Sequence, residues 1–377
     1  MSPANLPIIH LAAPAAPCSA FFEHLGVGSA PAFVELMQEM FGPRFRVRGD
    51  AALLDAPEDD HHGGRRDDDA RAGDLMGALA DDDVTAIVTI RGGAWFTRLL
   101  PQLDLTVLAR RGRPITVFGF SELTTLVNLV AASPPNEGVH YLGPALLLYA
   151  LRRQARVPER AAEDGGGETK SGASRQACLR EQLAYSARVM VDVLDGKEPD
   201  PPLDARLVQG TLPERFEAEF VGGNLTVMQT LLGSRWAVPT VRAGWEMDRL
   251  QVGATPTQHE HPLPARRAAP TGCWLVLEDL NEKPERIDRM LAALTLAGFW
   301  AQGGGLLLGD FHRGYENLRD AVLALLPYHL PRGSNLPVLV TDQIGHVWPM
   351  SPLRLRRPLR VQRQNEGTYR VFQARET

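Results

Sequence analysis

The chain has 377 residues, a formal net charge of −5, and 44% hydrophobic against 23% charged residues. That composition is globular and excludes disorder along most of the chain, while the mildly acidic balance argues against a dedicated nucleic-acid binder. The length predicts two domains of about 150 residues each, and three scattered cysteines, Cys18, Cys178 and Cys273, exclude both a disulfide framework and a zinc-type CxxC spacing.

In chain order, Ile8 to Ala12 reads as a strand, Ala32 to Met40 as a helix and Phe45 to Val47 as a second strand. Glu58 to Arg71 is a charged, glycine-containing loop. Its His61 and His62 beside Asp67, Asp68 and Asp69 lack the spaced ligands of a metal site. Asp69 to Ala80 has helical character, and Val84 to Ile90 is a continuous buried-strand run. After Gly92 and Gly93, Trp95 to Leu103 reads as helical; Ile115 to Phe118 is a strand and Leu123 to Ala132 a helix. This β-α alternation predicts an open, mostly parallel sheet with flanking helices over residues 1–150, with functional loops at the C-terminal strand ends. Residues 151–206 read as a linker, rich in Arg, Glu and Gly over Arg152 to Ser174, followed by a helix from Arg175 to Leu194. Residues 207–377 form a second, smaller mixed α/β domain. Its strands are expected at Trp274 to Leu277, Leu306 to Leu308 and Leu336 to Val340, with a helix over Pro284 to Ala297 and a polar insertion between Val241 and Thr271.

Four segments at strand ends carry chemistry. Ile90-Arg91-Gly92-Gly93-Ala94 lets backbone N–H groups approach a ligand closely. Val117-Phe118-Gly119-Phe120-Ser121-Glu122 has the strand-turn-helix layout of a nucleophile elbow, without its second glycine; Ser121 could equally be a helix N-cap. Glu278 and Asp279 follow a strand as neighbours, so at most one aims into a given cleft. Gly345-His346 follows another strand. A serine, a carboxylate and an imidazole are the inventory for acyl transfer.

Five motifs in order resemble one family, the LD-carboxypeptidases with the related microcin C self-immunity peptidases. They are VTAIVTIRGGAWFTRLLPQLD at residues 84 to 104, Gly119-Phe120-Ser121-Glu122-Leu123-Thr124, Gly222-Gly223-Asn224-Leu225, Leu277-Glu278-Asp279-Leu280 with Ile287-Asp288-Arg289-Met290-Leu291, and Gly345-His346. The resemblance implies a two-domain α/β serine peptidase. Its nucleophile would be Ser121, its orienting carboxylate Glu278, its base His346, and its oxyanion hole the backbone N–H groups of Gly93 and Glu122. It implies no metal and no cofactor. Arg91 is the candidate for the substrate carboxylate, with Arg98 a second, and Trp95 is a candidate substrate contact. Three positions depart from the family pattern: Glu122 stands for the usual aspartate, Ala94-Trp95 for Tyr-Gly, and Leu142 for the histidine of an HGP motif.

The expected activity is release of terminal D-alanine from a peptidoglycan-derived tetrapeptide through an acyl-enzyme. Two alternatives stand beside it: an amidase on peptidyl or aminoacyl nucleotides, with Trp95, Trp236 or Trp245 stacking on a base, and a non-catalytic peptide-binding homologue. A small peptide is the expected partner, with neither nucleic acid nor membrane, and homodimerisation is left open. The start of the chain has no basic segment ahead of an apolar run and no stretch of eighteen apolar residues occurs, so neither signal peptide nor transmembrane helix is expected, and the expected location is the cytoplasm.

Overall fold

A computed structural model describes residues 6–19, 22–56, 67–145, 172–238, 273–301, 303–314 and 316–375. The His61-His62 pair, most of the expected linker, the 241–271 insertion and Trp245 lie outside the described residues.

The first sheet contains β1 (Ile8–Ala12), β2 (Arg46–Gly49), β3 (Val84–Thr89), β4 (Thr116–Gly119) and β5 (Glu137–His140), all parallel, in the order β5-β4-β3-β1-β2. The apolar run VTAIVT of β3 is what a central parallel strand needs, because helices cover both of its faces. One of these, α1 (Ala30–Phe41), starts where Ser29 accepts a hydrogen bond from Ala32 N and ends at Gly42 in the left-handed region. Its Phe33, Met37 and Phe41 recur at helical spacing and are buried. A second, α2 (Asp68–Ala80), precedes β3, and a third, α3 (Thr124–Ala131), follows β4. The expected helix over Trp95 to Leu103 is a 3-10 stretch from Thr97 to Gln102 that contains Pro101, which has no N–H for an α-helical ladder.

After the long helix α4 (Gly172–Leu194) comes the second sheet, with nine strands among the described residues. Its parallel half is β8 (Phe220–Asn224), β9 (Trp274–Leu280), β10 (Gly305–Arg313) and β12 (Val338–Val340), with the short β11 (Glu316–Asn317) paired antiparallel to β10. Its antiparallel half is β6 (Leu203–Gln209), β7 (Arg215–Ala218), β14 (Leu359–Asn365) and β15 (Thr368–Phe372). Helices α5 (Leu225–Thr230), α6 (Pro284–Leu296) and α7 (Arg319–His329) accompany the parallel half. Along β9 the pleat sends Trp274 and Val276 into the core shared with the first sheet, and Leu275 and Leu277 into a separate core under α6 and α7. Strand β13 (Leu353–Arg354) crosses back and pairs antiparallel with β5, Leu353 opposite His140. The two sheets are therefore tied by main-chain pairing as well as by side chains.

Candidate active site

Strand β4 ends at Gly119, Phe120 is extended, and Ser121 then adopts φ +56°. A non-glycine residue in the left-handed region is strained, and such strain clusters at functional turns. The N-cap of α3 is Leu123, which makes no side-chain cap bond, so Ser121 does not serve as the cap of that helix. The RGG turn lies directly against it. A Cβ placed on Gly92 would stand 2.8 Å from Ser121 Cβ and 3.2 Å from its Oγ, so only glycine fits there. Gly93 has φ +110° and abuts Ala16, whose N–H donates to Gly92 O at 3.1 Å.

His346 Nδ1 and Glu278 Oε2 are hydrogen-bonded at 2.8 Å, and both side chains are buried. Burial pushes the Glu278 carboxyl up to about 8; the Asn224 amide opposes this, Asp310 adds to it and His312 reduces it. Gly345, at φ +122°, lets the chain pass close to Asp310 before His346. The His346 ring meets the Phe120 ring edge-on at 4.4 Å, one residue before Ser121. Asp279 faces away from this pair. It accepts from Thr226 N and Thr226 Oγ1 at 2.8 Å each and from Asn224 Nδ2 at 3.2 Å, so it caps the start of α5. Burial, then the neighbouring Glu278, raises its carboxyl to about 6, against the Thr226 and Leu280 donors.

The GGNL segment latches the two halves together. Asn128 of α3 donates to Gly222 O at 2.9 Å and accepts from Gly222 N at 3.0 Å, and Asn224 N donates to Thr124 Oγ1 at 3.0 Å. Because Asn224 lies opposite Glu278 in the β8–β9 register, this latch places the carboxylate relative to the helix that follows Ser121. Glu122, half-buried, accepts from Thr97 N at 3.2 Å and Thr97 Oγ1 at 3.4 Å, tying the serine turn to the loop after RGG. Burial raises its carboxyl and the Thr97 donors lower it. Trp95, half-buried, has φ +70°. Arg91 is half-buried, while Arg98 pairs with Asp68 on α2 at 3.0 Å. Trp236 is buried, with the Arg235 guanidinium over its ring at 5.1 Å.

Sequence reasoning missed His140. It ends β5, is fully buried, and packs its ring 4.9 Å from that of Phe120, which His346 also meets. Neither ring nitrogen has a hydrogen-bond partner among the described residues. Burial, and then the charge of His346, lowers it to about 3, so it is a neutral imidazole beside the Glu278–His346 pair. Nothing in Glu137-Gly138-Val139-His140 marks it, because a short strand containing glycine carries no periodicity to read. Asp310 and His312, hydrogen-bonded to each other on β10, were likewise invisible before the second sheet brought them near Glu278. Among the described residues no group of three His, Cys, Asp or Glu side chains could hold a metal ion.

Residues 9–140 match the N-terminal domain of the LD-carboxypeptidases and residues 251–361 their C-terminal domain. A probable murein peptide carboxypeptidase of Bacillus subtilis is 25% identical over 287 residues, which is 75% of this chain and 70% of that protein. A murein tetrapeptide carboxypeptidase of Pseudomonas aeruginosa is 27% identical over 278 residues, 70% of this chain and 71% of that one. Among solved structures, a muramoyltetrapeptide carboxypeptidase from Oxalobacter formigenes superposes with TM-score 0.56 at 19% identity, covering 97% of each chain. An MccF-like protein from Streptococcus pneumoniae in complex with AMP superposes with TM-score 0.61 at 18% identity, covering 98% of this chain and 100% of that one. At these identities the structural likeness is one of fold.

Proposed function

Because the chain belongs to the LD-carboxypeptidase family, a family of peptidases, we propose that it is a serine carboxypeptidase. It would release terminal D-alanine from peptidoglycan-derived tetrapeptides through an acyl-enzyme on Ser121. The observation that carries this is the buried Glu278–His346 hydrogen bond of 2.8 Å, whose imidazole packs on the residue preceding a strained serine. With the proton on Nδ1, the Nε2 of His346 carries the lone pair that would act as base toward the serine hydroxyl. Ser121 Oγ attacks the carbonyl of the terminal peptide bond and its proton passes to His346. The same proton then goes to the departing amine of D-alanine. Water, deprotonated by His346, hydrolyses the ester. Glu278 holds the imidazole in its tautomer and balances the imidazolium charge. The backbone N–H groups of Gly93 and Glu122 would receive the oxyanion, and Arg91 the substrate's terminal carboxylate.

A second reading, an amidase on aminoacyl nucleotides, is favoured by Trp95, whose left-handed backbone next to the RGG turn puts an aromatic residue where the family pattern has Tyr-Gly. One paired assay separates the two. Purified protein is given murein tetrapeptide and, separately, an aminoacyl-sulfamoyl adenosine, and product release is followed. Release of D-alanine with little cleavage of the nucleotide supports the first reading. The reverse supports the second, and inertness toward both, with the fold intact, removes both.

A further inference from the structure

The end of the first sheet opposite Ser121 holds a cavity that the proposed chemistry does not use. The starts of β3, β4 and β5 open there into a space of about 690 Å³, closed by β14 and the segment after β15. Its walls carry four arginines, Arg354, Arg357, Arg360 and Arg375, against two glutamates, Glu137 and Glu217. Glu137 is buried and takes three of the guanidiniums: Arg354, Arg375 at 3.2 Å and Arg357 at 3.5 Å. The fourth, Arg360, stands opposite Glu217 in the β14–β7 register and lies over the Phe372 ring at 4.2 Å. The Nε atoms of Arg354 and Arg360 are buried with no hydrogen-bond partner among the described residues. The lining itself therefore carries four guanidiniums against two carboxylates, while Glu198, which acts on Arg354, is not part of it.

We propose that this cavity binds a small phosphate-bearing anion. A phosphate dianion matches the surplus charge, and its oxygens match the guanidinium fork. The volume is that of a site for an organic ligand, and Pro114, Pro358 and Phe372 supply apolar wall for a carbon skeleton. The four residues of β4 set this site about 13 Å from the serine turn, so the two are separate.

Titration calorimetry on the full chain tests it, with inorganic pyrophosphate and glucose 1-phosphate as separate probes to distinguish an inorganic from an organic ligand. Saturable binding of at least one probe is expected. Arg360→Gln should weaken it about tenfold or more, as loss of one charge-assisted bond does. Glu217→Gln, at an exposed position, should tighten it. Ser121→Ala should bind like the parent. Should Arg360→Gln fail to fold, Arg375→Gln, about half exposed, takes its place. No saturable binding of either probe at millimolar concentration would overturn the proposal. So would affinities indifferent to both the arginine and the Glu217 substitutions, which would make the cluster a purely structural ion network, and so would loss of binding in Ser121→Ala.

Discussion

Ser121 keeps a backbone conformation that costs a non-glycine residue of order 1–3 kcal/mol. The surrounding turn has to impose it, so Ser121→Ala, which removes only the oxygen, should leave the fold intact and abolish turnover. His346→Ala should be nearly as severe, and the double variant no worse than either single one, since the groups act as a unit. The two neighbouring carboxylates separate cleanly. Glu278→Gln should lower kcat by about three to four orders of magnitude, as in other triads whose orienting carboxylate is neutralised. Asp279→Asn should cost far less activity, because Asp279 serves the start of α5. A fatal Asp279→Asn beside a mild Glu278→Gln would move the catalytic role by one residue. Asp279 also has a pH signature. Its carboxyl is raised from 3.8 to about 6 by burial, so the folded state holds its proton more tightly than the unfolded chain. That contribution to stability is complete below pH 3.8 and is lost as pH rises through about 6. Urea midpoints measured between these limits should fall less steeply with pH in Asp279→Asn than in the parent.

Two elements hold the serine turn in place: the RGG turn pressed on it from one side and the α3–β8 latch from the other. Gly92→Ala should lower kcat at least tenfold, since a Cβ 2.8 Å from Ser121 Cβ must displace one of the two; overpacking of this kind costs about 1–3 kcal/mol, measurable as a shift of the urea midpoint. Asn128→Ala breaks both buried bonds to Gly222 and leaves its N–H and C=O unpaired. The expected loss is about 2–4 kcal/mol, with a fall in activity as Glu278 loses its register to Ser121. A stable, fully active Asn128→Ala would show that the latch positions nothing. Strands with continuous apolar runs, such as Val84–Thr89 and the short Val338–Val340, were readable because burial on both faces demands such runs. Strand β5, the β14–β15 hairpin and α7 were not, since glycine, arginine and an internal proline mask their periodicity.

Across the whole molecule, the pairing of β13 with β5 and the shared core make the two sheets one structural body, and Phe120, the residue before Ser121, meets His346 of the Glu278–His346 pair across it. The proposed chemistry is carried by side chains and backbone N–H groups of the chain itself, and EDTA treatment should leave the hydrolytic rate unchanged; a loss restored by zinc would overturn that. No helix among the described residues is long and apolar enough to cross a membrane.

By itself the sequence determined the β-α alternation, the strand ends that carry reactive residues, and, through five short motifs, the family. These are local properties, set by hydrophobic periodicity and by residue types placed within a few positions of one another. The family resemblance named Glu278 of two adjacent carboxylates, but only the tertiary structure brings it to His346, because the contact depends on which face of β9 the second sheet turns toward the first. It likewise decided that Ser121 is strained rather than capping, that Gly92 is required by contact with a side chain 29 positions away, and that His140 lies beside the pair. Each of these is a contact between residues far apart in the chain, and such contacts exist only once two cores have packed and the strands between them have taken their register.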